Sequence, residues 1–368
     1  MSNNFQEKLN REFNTIKKDI KKPNILLIGG TGVGKSSLLN LCFGEDIART
    51  GVGKPVTQHI DKFTSKDIPI VLFDSKGYEI GSEQEAQFQK EVIELCTETH
   101  GRIEDEPHLA WYCIQSIGSR ITDFDIDIIR KIESSKIPIA IILTKSDLIS
   151  EEEAVQIKNA ILAEFPSINI FETNIKNIPC GMELKDLISW SVIQLPEALK
   201  TAFVAAQKVS IQGKRKHARN VIVQHTTIAF ATGFVPIPAS NAPILLTNQS
   251  KLLARILYIY NLDKSIDNVS AIIQLAIASA LPMAGRYLVS QILKLIPVVG
   301  TVLGGSINGT VAASITSAFG FAVSEACAKV IELGIDNLDD ASFIKHFNED
   351  LINIFMKYLK QEQKNKHE

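Results

Sequence analysis

Paired cysteines are missing from this sequence. Cys42, Cys96, Cys113, Cys180 and Cys327 are scattered, odd in number and form no CxxC pair. That pattern argues against a disulfide framework or a cysteine zinc site and points to a reducing cytoplasm. A strong charge of either sign is missing too: the formal net charge is −2, with a pI near 6.4. Nothing in that balance draws the whole chain toward nucleic acid, and no nucleic-acid partner is expected. The opening has no apolar signal-peptide core. Phe5, Leu9, Phe13, Ile16 and Ile20 recur there at helical spacing among charges, which predicts an amphipathic helix over 1–22. Charge is also lacking locally, with no Asp, Glu, Lys or Arg over the 31 residues 220–250 or the 30 residues 295–324.

With 368 residues the chain is too long for one core, and at roughly 100–200 residues per domain it predicts two. The charge is divided between them. Residues 1–196 carry 22 Lys and Arg against 29 Asp and Glu, whereas residues 197–368 carry 17 against 12. A junction at Pro196 is therefore expected, giving an α/β domain over 23–196 and an all-α helical domain over 197–368.

In the first half, apolar runs at 24–28, 68–73, 108–114, 137–143 and 168–171 read as strands. Helical patterns lie between them at 35–41, 83–96, 123–132 and 151–164. This alternation predicts a mostly parallel sheet covered on both faces. Thr122 and Asp123, ahead of Phe124 and Ile126, read as a helix start.

Three motifs fall at the ends of those strands. Gly29-Gly30-Thr31-Gly32-Val33-Gly34-Lys35-Ser36, followed by Ser37, matches G-x-x-x-x-G-K-[ST] between a strand and a helix. Its glycines let backbone N–H groups curl around phosphates, and the helix N-terminus adds its positive end. Lys35 supplies a charge at the β- and γ-phosphates, and the Ser36 hydroxyl can ligate Mg²⁺. Asp74-Ser75-Lys76-Gly77 ends the strand 68–73. There Asp74 can hold Mg²⁺, and the Gly77 amide can bond the γ-phosphate. Thr144-Lys145-Ser146-Asp147 follows the strand 137–143. The Asp147 carboxylate can accept both N1–H and N2–H₂ of guanine, a pair adenine lacks, and the Lys145 stem can lie along the ring.

Two further positions are expected from the loops. Thr57, with Thr50 competing, can complete a Mg²⁺ shell and close over the γ-phosphate. Thr173 and Asn174, with Cys180 the alternative, are expected at the base edge. The implied ligands are GTP or GDP with Mg²⁺, with Lys35, Thr57 and Gly77 as the catalytic set.

In this order the elements resemble the translation-factor-related P-loop GTPases, particularly the Era- and septin-like branch and the immunity-related interferon-inducible GTPases. The resemblance covers about 23–196 and implies a Mg²⁺-dependent GTP switch on a six-stranded sheet. Trp111-Tyr112-Cys113-Ile114, with Arg120 and Asp123, is similar to this group as well, and its aromatics are expected in the core. One departure matters. Where Ras-like enzymes place a water-orienting glutamine, this sequence has Tyr78, and Gly32 stands where some relatives place a potassium-recruiting asparagine. Intrinsic hydrolysis is therefore expected to be slow. His59, Arg49, a partner, or a second copy paired through the G domains could position the water.

The C-terminal half is similar, more weakly, to a helical domain that follows G domains in many bacterial proteins; Pro-Val-Val-Gly at 297–300 and Pro-Ile-Pro at 236–238 carry that impression. Both uncharged runs exceed the roughly 20 residues that span a bilayer. The basic cluster Lys208, Lys214, Arg215, Lys216 and Arg219 precedes the first of them. Pro236, Pro238 and Pro243 interrupt that run, and its small residues equally suit a packed soluble bundle. A third apolar piece lies at 271–283. The end, over 341–360, reads as an amphipathic helix through Phe343, Phe347, Leu351, Ile354 and Phe355. A membrane or protein partner for this half stays open. A cytoplasmic GTPase switch and a nucleotide-binding scaffold that hydrolyses little are the two readings. A ribosome-assembly role is weaker, because this half is apolar rather than strongly basic.

Overall fold

The computed structural model describes residues 2–44, 52–55, 60–65, 68–75, 84–97, 106–118, 121–173, 181–233, 241–262, 304–333, 351–358 and 360. In chain order these form α1 (Ser2–Asp19), β1 (Asn24–Ile28), α2 (Lys35–Phe43), β2 (Val52–Pro55), β3 (Ile60–Thr64), β4 (Val71–Ser75), α3 (Gln84–Thr97) and β5 (Leu109–Gln115). There follow α4 (Asp123–Ser134), β6 (Ile139–Thr144), a 3₁₀ turn (Ser146–Leu148), α5 (Glu151–Glu164), β7 (Asn169–Thr173), α6 (Gly181–Gln194) and α7 (Glu197–Ala206). The remaining elements are α8 (Ile211–Gly233), α9 (Asn241–Ile259), α10 (Gly304–Leu333) and a helix over 351–358, α11.

The strands form one sheet in the order β2-β3-β4-β1-β5-β6-β7. Strands β4, β1, β5, β6 and β7 are parallel; β3 runs antiparallel to β4, and β2 to β3. The expected mostly parallel six-stranded sheet followed by a helical region is thus found, with the four-residue β2 extending its edge. Strands β1, β5 and β6 are near-continuous apolar runs because both their faces are covered. On one face Leu26, Phe73, Tyr112 and Ile141 pack with Phe88 of α3, Ile128 of α4 and Ile157 of α5. On the other, Ile25, Trp111 and Ile142 pack with Leu38 and Phe43 of α2, Leu187 of α6, and Leu199 and Phe203 of α7. Trp111 and Tyr112 are fully buried core, as their apolar setting implied. Trp111 stacks on Phe43 at 5.8 Å and donates to Ser191 Oγ at 3.2 Å. Tyr112 donates to Asp125 Oδ1 at 2.7 Å, and Asp125 closes a capping box with Thr122 at the start of α4.

The chain divides into two compact units, 20–210 and 1–19 with 211–368. The expected borders at 22/23 and 196/197 sit away from these. Helix α7 belongs to the sheet unit because Leu199, Phe203 and Ala206 fill its core. Helix α1 belongs to the helical unit, where it lies on α9 with Phe13 6.2 Å from the Tyr258 ring.

Within the helical unit, α8 and α10 cross closely: a Cβ at Gly320 would fall 2.7 Å from Ile222 Cγ1. The Lys214 ammonium is buried and donates to the Ile259 carbonyl, the last residue of α9, at 2.9 Å. Arg215 bridges Glu325 and Glu332 of α10. His225 Nδ1 meets Asn248 Oδ1 at 2.7 Å, and burial holds this imidazole below its ordinary pKa. The run 220–250 is thus divided between α8 and α9, with 234–240 outside the described residues. Of the run 295–324, α10 holds the part from Gly304. Among the described residues one stretch, Ala312–Leu333, is long and apolar enough to cross a membrane, with mean hydropathy 1.2. Since 72% of it is buried inside the protein, it has the character of a bundle core helix. The piece 271–283 and residues 341–350 lie outside the described residues; α11 buries Leu351 and Phe355 as expected.

Candidate functional site

The parallel strands bring their carboxyl ends to one edge of the sheet. β1 lies at the centre, where the connections to β4 and β5 diverge. Open α/β sheets bind ligands at such a point. The loop leaving β1 begins at Gly29, whose φ of +151° and whose distance to β5 both require glycine: a Cβ there would meet the Cys113 carbonyl oxygen at 2.4 Å. Gly34, with φ of 110°, caps the N-terminus of α2 in the left-handed region. Between them Thr31 and Gly32 are exposed, Val33 is buried, and Lys35 and Ser36 open the helix.

Lys35 is buried and turned back into this loop, with Nζ donating to the carbonyls of Gly29 at 2.7 Å and Gly30 at 3.1 Å. Burial lowers its pKa, and Asp74 and Cys113 oppose that shift. Asp74 is brought beside it by the register of β4 on β1, which pairs Asp74 with Leu27. Its Oδ1 is buried and finds no hydrogen-bond partner among the described residues. Burial raises the Asp74 pKa to about 6; Lys35 lowers it, and Asp61, directly opposite on β3, raises it further. A buried carboxylate oxygen without a donor is costly unless something else satisfies it. A hydrated Mg²⁺ would do so, and the exposed Ser36 hydroxyl supplies the hard oxygen such an ion takes. The residues present therefore fit the metal.

The second part of the edge is assembled by β6. Thr144 donates through Oγ1 to the Val33 carbonyl and to the Ile114 carbonyl at 3.3 Å, tying the end of β6 to the loop. Lys145 adopts φ of 58°, a left-handed conformation uncommon for a non-glycine residue. Its Nζ donates to the Gly32 carbonyl at 2.8 Å and to Gln115 Oε1 at 3.3 Å. Asp147 follows on the 3₁₀ turn, partly exposed. Ser146 Oγ donates to the carbonyl of Thr173, the last residue of β7, at 3.1 Å.

The loop 29–36, Asp74, Thr144, Lys145, Asp147 and Thr173 therefore share one edge. Thr57, Gly77 and Asn174 lie outside the described residues, as do Thr50, Cys180, Arg49, His59 and Tyr78. Gln115 was not singled out from the sequence, although a polar residue closing an all-apolar strand marks it. It pairs in register with Thr144. The described cysteines are free thiols; Cys42 and Cys113 are buried beneath the loop, and burial pushes the Cys113 thiol up to about 12.

The family model described as "50S ribosome-binding GTPase" matches residues 24–145. Over these residues the chain is similar to P-loop GTPases of the Era-like superfamily. Among curated proteins, human Septin-14 is 23% identical over 168 residues, covering 40% of this chain and 39% of its own. The probable GTP-binding protein EngB of Aquifex aeolicus is 27% identical over 134 residues, 36% of this chain and 70% of its own. GTPase Era of Caldicellulosiruptor saccharolyticus is 27% identical over 137 residues, 37% and 43%. The chain thus spans about two fifths of the length of Septin-14 and of that Era protein. A solved Era structure from Aquifex aeolicus, bound to GDP·AlF₄⁻, aligns with 57% of this chain and 68% of that one at 14% identity and a TM-score of 0.35.

Proposed function

We propose that this protein binds GTP with Mg²⁺, hydrolyses it, and uses the change of nucleotide to govern its helical unit. The observation that carries the reading is the buried Oδ1 of Asp74 beside Lys35, without a hydrogen-bond partner among the described residues, at the edge where Lys145 clasps the phosphate loop. Ser36, Asp74 and Thr57 would hold Mg²⁺, which when bound supplies positive charge to the phosphate oxygens. Lys35 exchanges its two carbonyl acceptors for β- and γ-phosphate oxygens, and the N–H groups of 30–36 cradle the same oxygens. Lys145 fixes the loop against β6 while Asp147 accepts the two N–H groups of guanine. In hydrolysis a water oxygen bonds to the γ-phosphorus, the bond to the β–γ bridging oxygen breaks, GDP departs with that electron pair, and a proton of the water passes to an oxygen of the released phosphate. The Gly77 amide follows the γ-phosphate.

Tyr78 offers no water-orienting amide, so we infer that the orienting group comes from a second copy through paired G domains, or from another partner. A group supplied in trans adds about 10³–10⁵ in rate. Steady-state turnover tests this: rate per molecule should climb with protein concentration, and Lys35→Ala should abolish it at every concentration. A flat rate overturns assembly-dependent activation. Turnover near zero with intact GTP binding would favour the nucleotide-binding scaffold, the reading that Tyr78 itself supports. The 50S-ribosome binding named in the family description finds no support in the apolar helical half. A cytoplasmic protein remains the reading from its cysteines.

A further inference from the structure

Helix α8 contains Lys214, Arg215, Lys216 and Arg219 and no Asp or Glu. Its basic residues divide by direction. Lys214 is buried on the Ile259 carbonyl, and Arg215 is spent on Glu325 and Glu332. Lys216 and Arg219 are exposed on the outer face. Farther along that face Val223 is 55% and Phe230 42% exposed, with Thr227 exposed between them and Ile228 at the flank 48% exposed. Positions 216, 219, 223, 227 and 230 follow a three-and-four spacing, so they form one stripe about 21 Å long. It is basic at one end and apolar at the other. The inward face of the same helix is satisfied: Val221, Ile222 and Ala229 are buried, and His225 is bonded to Asn248.

We propose that this stripe is a docking surface for an anionic lipid bilayer. Lys216 and Arg219 meet the headgroups, and Val223 and Phe230 enter the boundary between headgroups and acyl chains. A helix with basic residues on its exposed face and Phe and Val beside them partitions into that interface without spanning it. Charge complementarity selects the occupant: α8 carries no acidic side chain, and its two exposed cations are attracted to an anionic surface. Peripheral docking also accords with Ala312–Leu333, the one described stretch apolar enough to span, being mostly buried within the unit. The inference does not depend on hydrolysis.

The test is co-sedimentation of the full-length protein with vesicles of phosphatidylcholine alone or mixed with phosphatidylglycerol, at low and high salt. Wild type should pellet with the mixed vesicles, less so in high salt, and weakly with phosphatidylcholine. Lys216→Glu with Arg219→Glu should weaken binding about tenfold or more, as should Val223→Ser with Phe230→Ser. The charge-matched control Lys136→Glu with Lys185→Glu should not. Circular dichroism melts verify that each variant folds, and Lys35→Ala should pellet like wild type, so lipid docking and nucleotide chemistry fail separately. No pelleting, equal pelleting on both vesicle types, or indifference to the α8 substitutions overturns the proposal. So does a dimer in sedimentation velocity that Val223→Ser with Phe230→Ser disperses, which would make the stripe a contact between copies.

Discussion

Asp74 shows how a single side chain can be costly to the empty fold and necessary to the loaded one. Its folded pKa of about 6 stands above the ordinary value of 3.8. Between those values the folded protein holds a proton that the unfolded chain has lost. This group therefore destabilises the nucleotide-free fold above pH 6 and ceases to do so as pH falls toward 3.8. Asp74→Asn removes that penalty. The nucleotide-free variant should melt above wild type at neutral pH, by at most about 3 kcal/mol, with the gap closing toward about pH 4. Its Mg²⁺-dependent nucleotide binding should fall at the same time. Scanning calorimetry across pH measures the first effect, and a variant less stable than wild type at every pH contradicts the account. The sequence marked Asp74 by its place after a strand. It could not show the opposing Asp61, because that neighbour comes from the register of β3 on β4.

At the scale of elements, legibility followed the strength of local pattern. β1 and α5 fall where their residue patterns put them, and a Ser150–Glu153 capping box, found in the structure, closes the start of α5. β3 was unread because Ile60-Asp61-Lys62-Phe63-Thr64 mixes charges into a short strand whose pairing is set across the sheet. β2, with Gly53 and Pro55, carries the composition of a loop and is tolerated as a strand only at the edge. Helix α6 was missed too, its apolar residues being too dispersed for a clear stripe. The α8–α10 crossing was equally hidden. Gly320 lies in a run of small residues, and only the fold identifies it as the place where Ile222 enters. Gly320→Ala should gain helix propensity of about 1 kcal/mol and lose more to overpacking, about 1–3 kcal/mol. The net result should be a lower melting point for the helical unit. Ile222→Ala, which removes the Cγ1 and Cγ2 that the new methyl would meet, should cost less in the Gly320→Ala chain than in wild type, and a melting point raised by Gly320→Ala alone would show that the helices separate freely.

For the whole molecule, the charge contrast and the two uncharged runs mark an α/β half followed by a helical half, while the compact units divide after Asp19 and after Ser210. Sequence order hides that α1 joins the helical unit and that α7 completes the sheet's core. The phosphate-loop and base motifs were readable because phosphate and guanine chemistry fix residue types at fixed spacing. Gln115 was not, since its role arises from the partner Lys145.

We propose a guanine-specific, Mg²⁺-dependent site built on Lys35, Asp74 and Asp147. Competition for a fluorescent GDP analogue on the full-length protein tests it most directly. GTP and GDP should displace the analogue and ATP should not, Lys35→Ala should fail to bind, and Asp147→Ala should lose the preference for guanine. Displacement by ATP as effective as by GTP, or undiminished binding by Lys35→Ala, would contradict it.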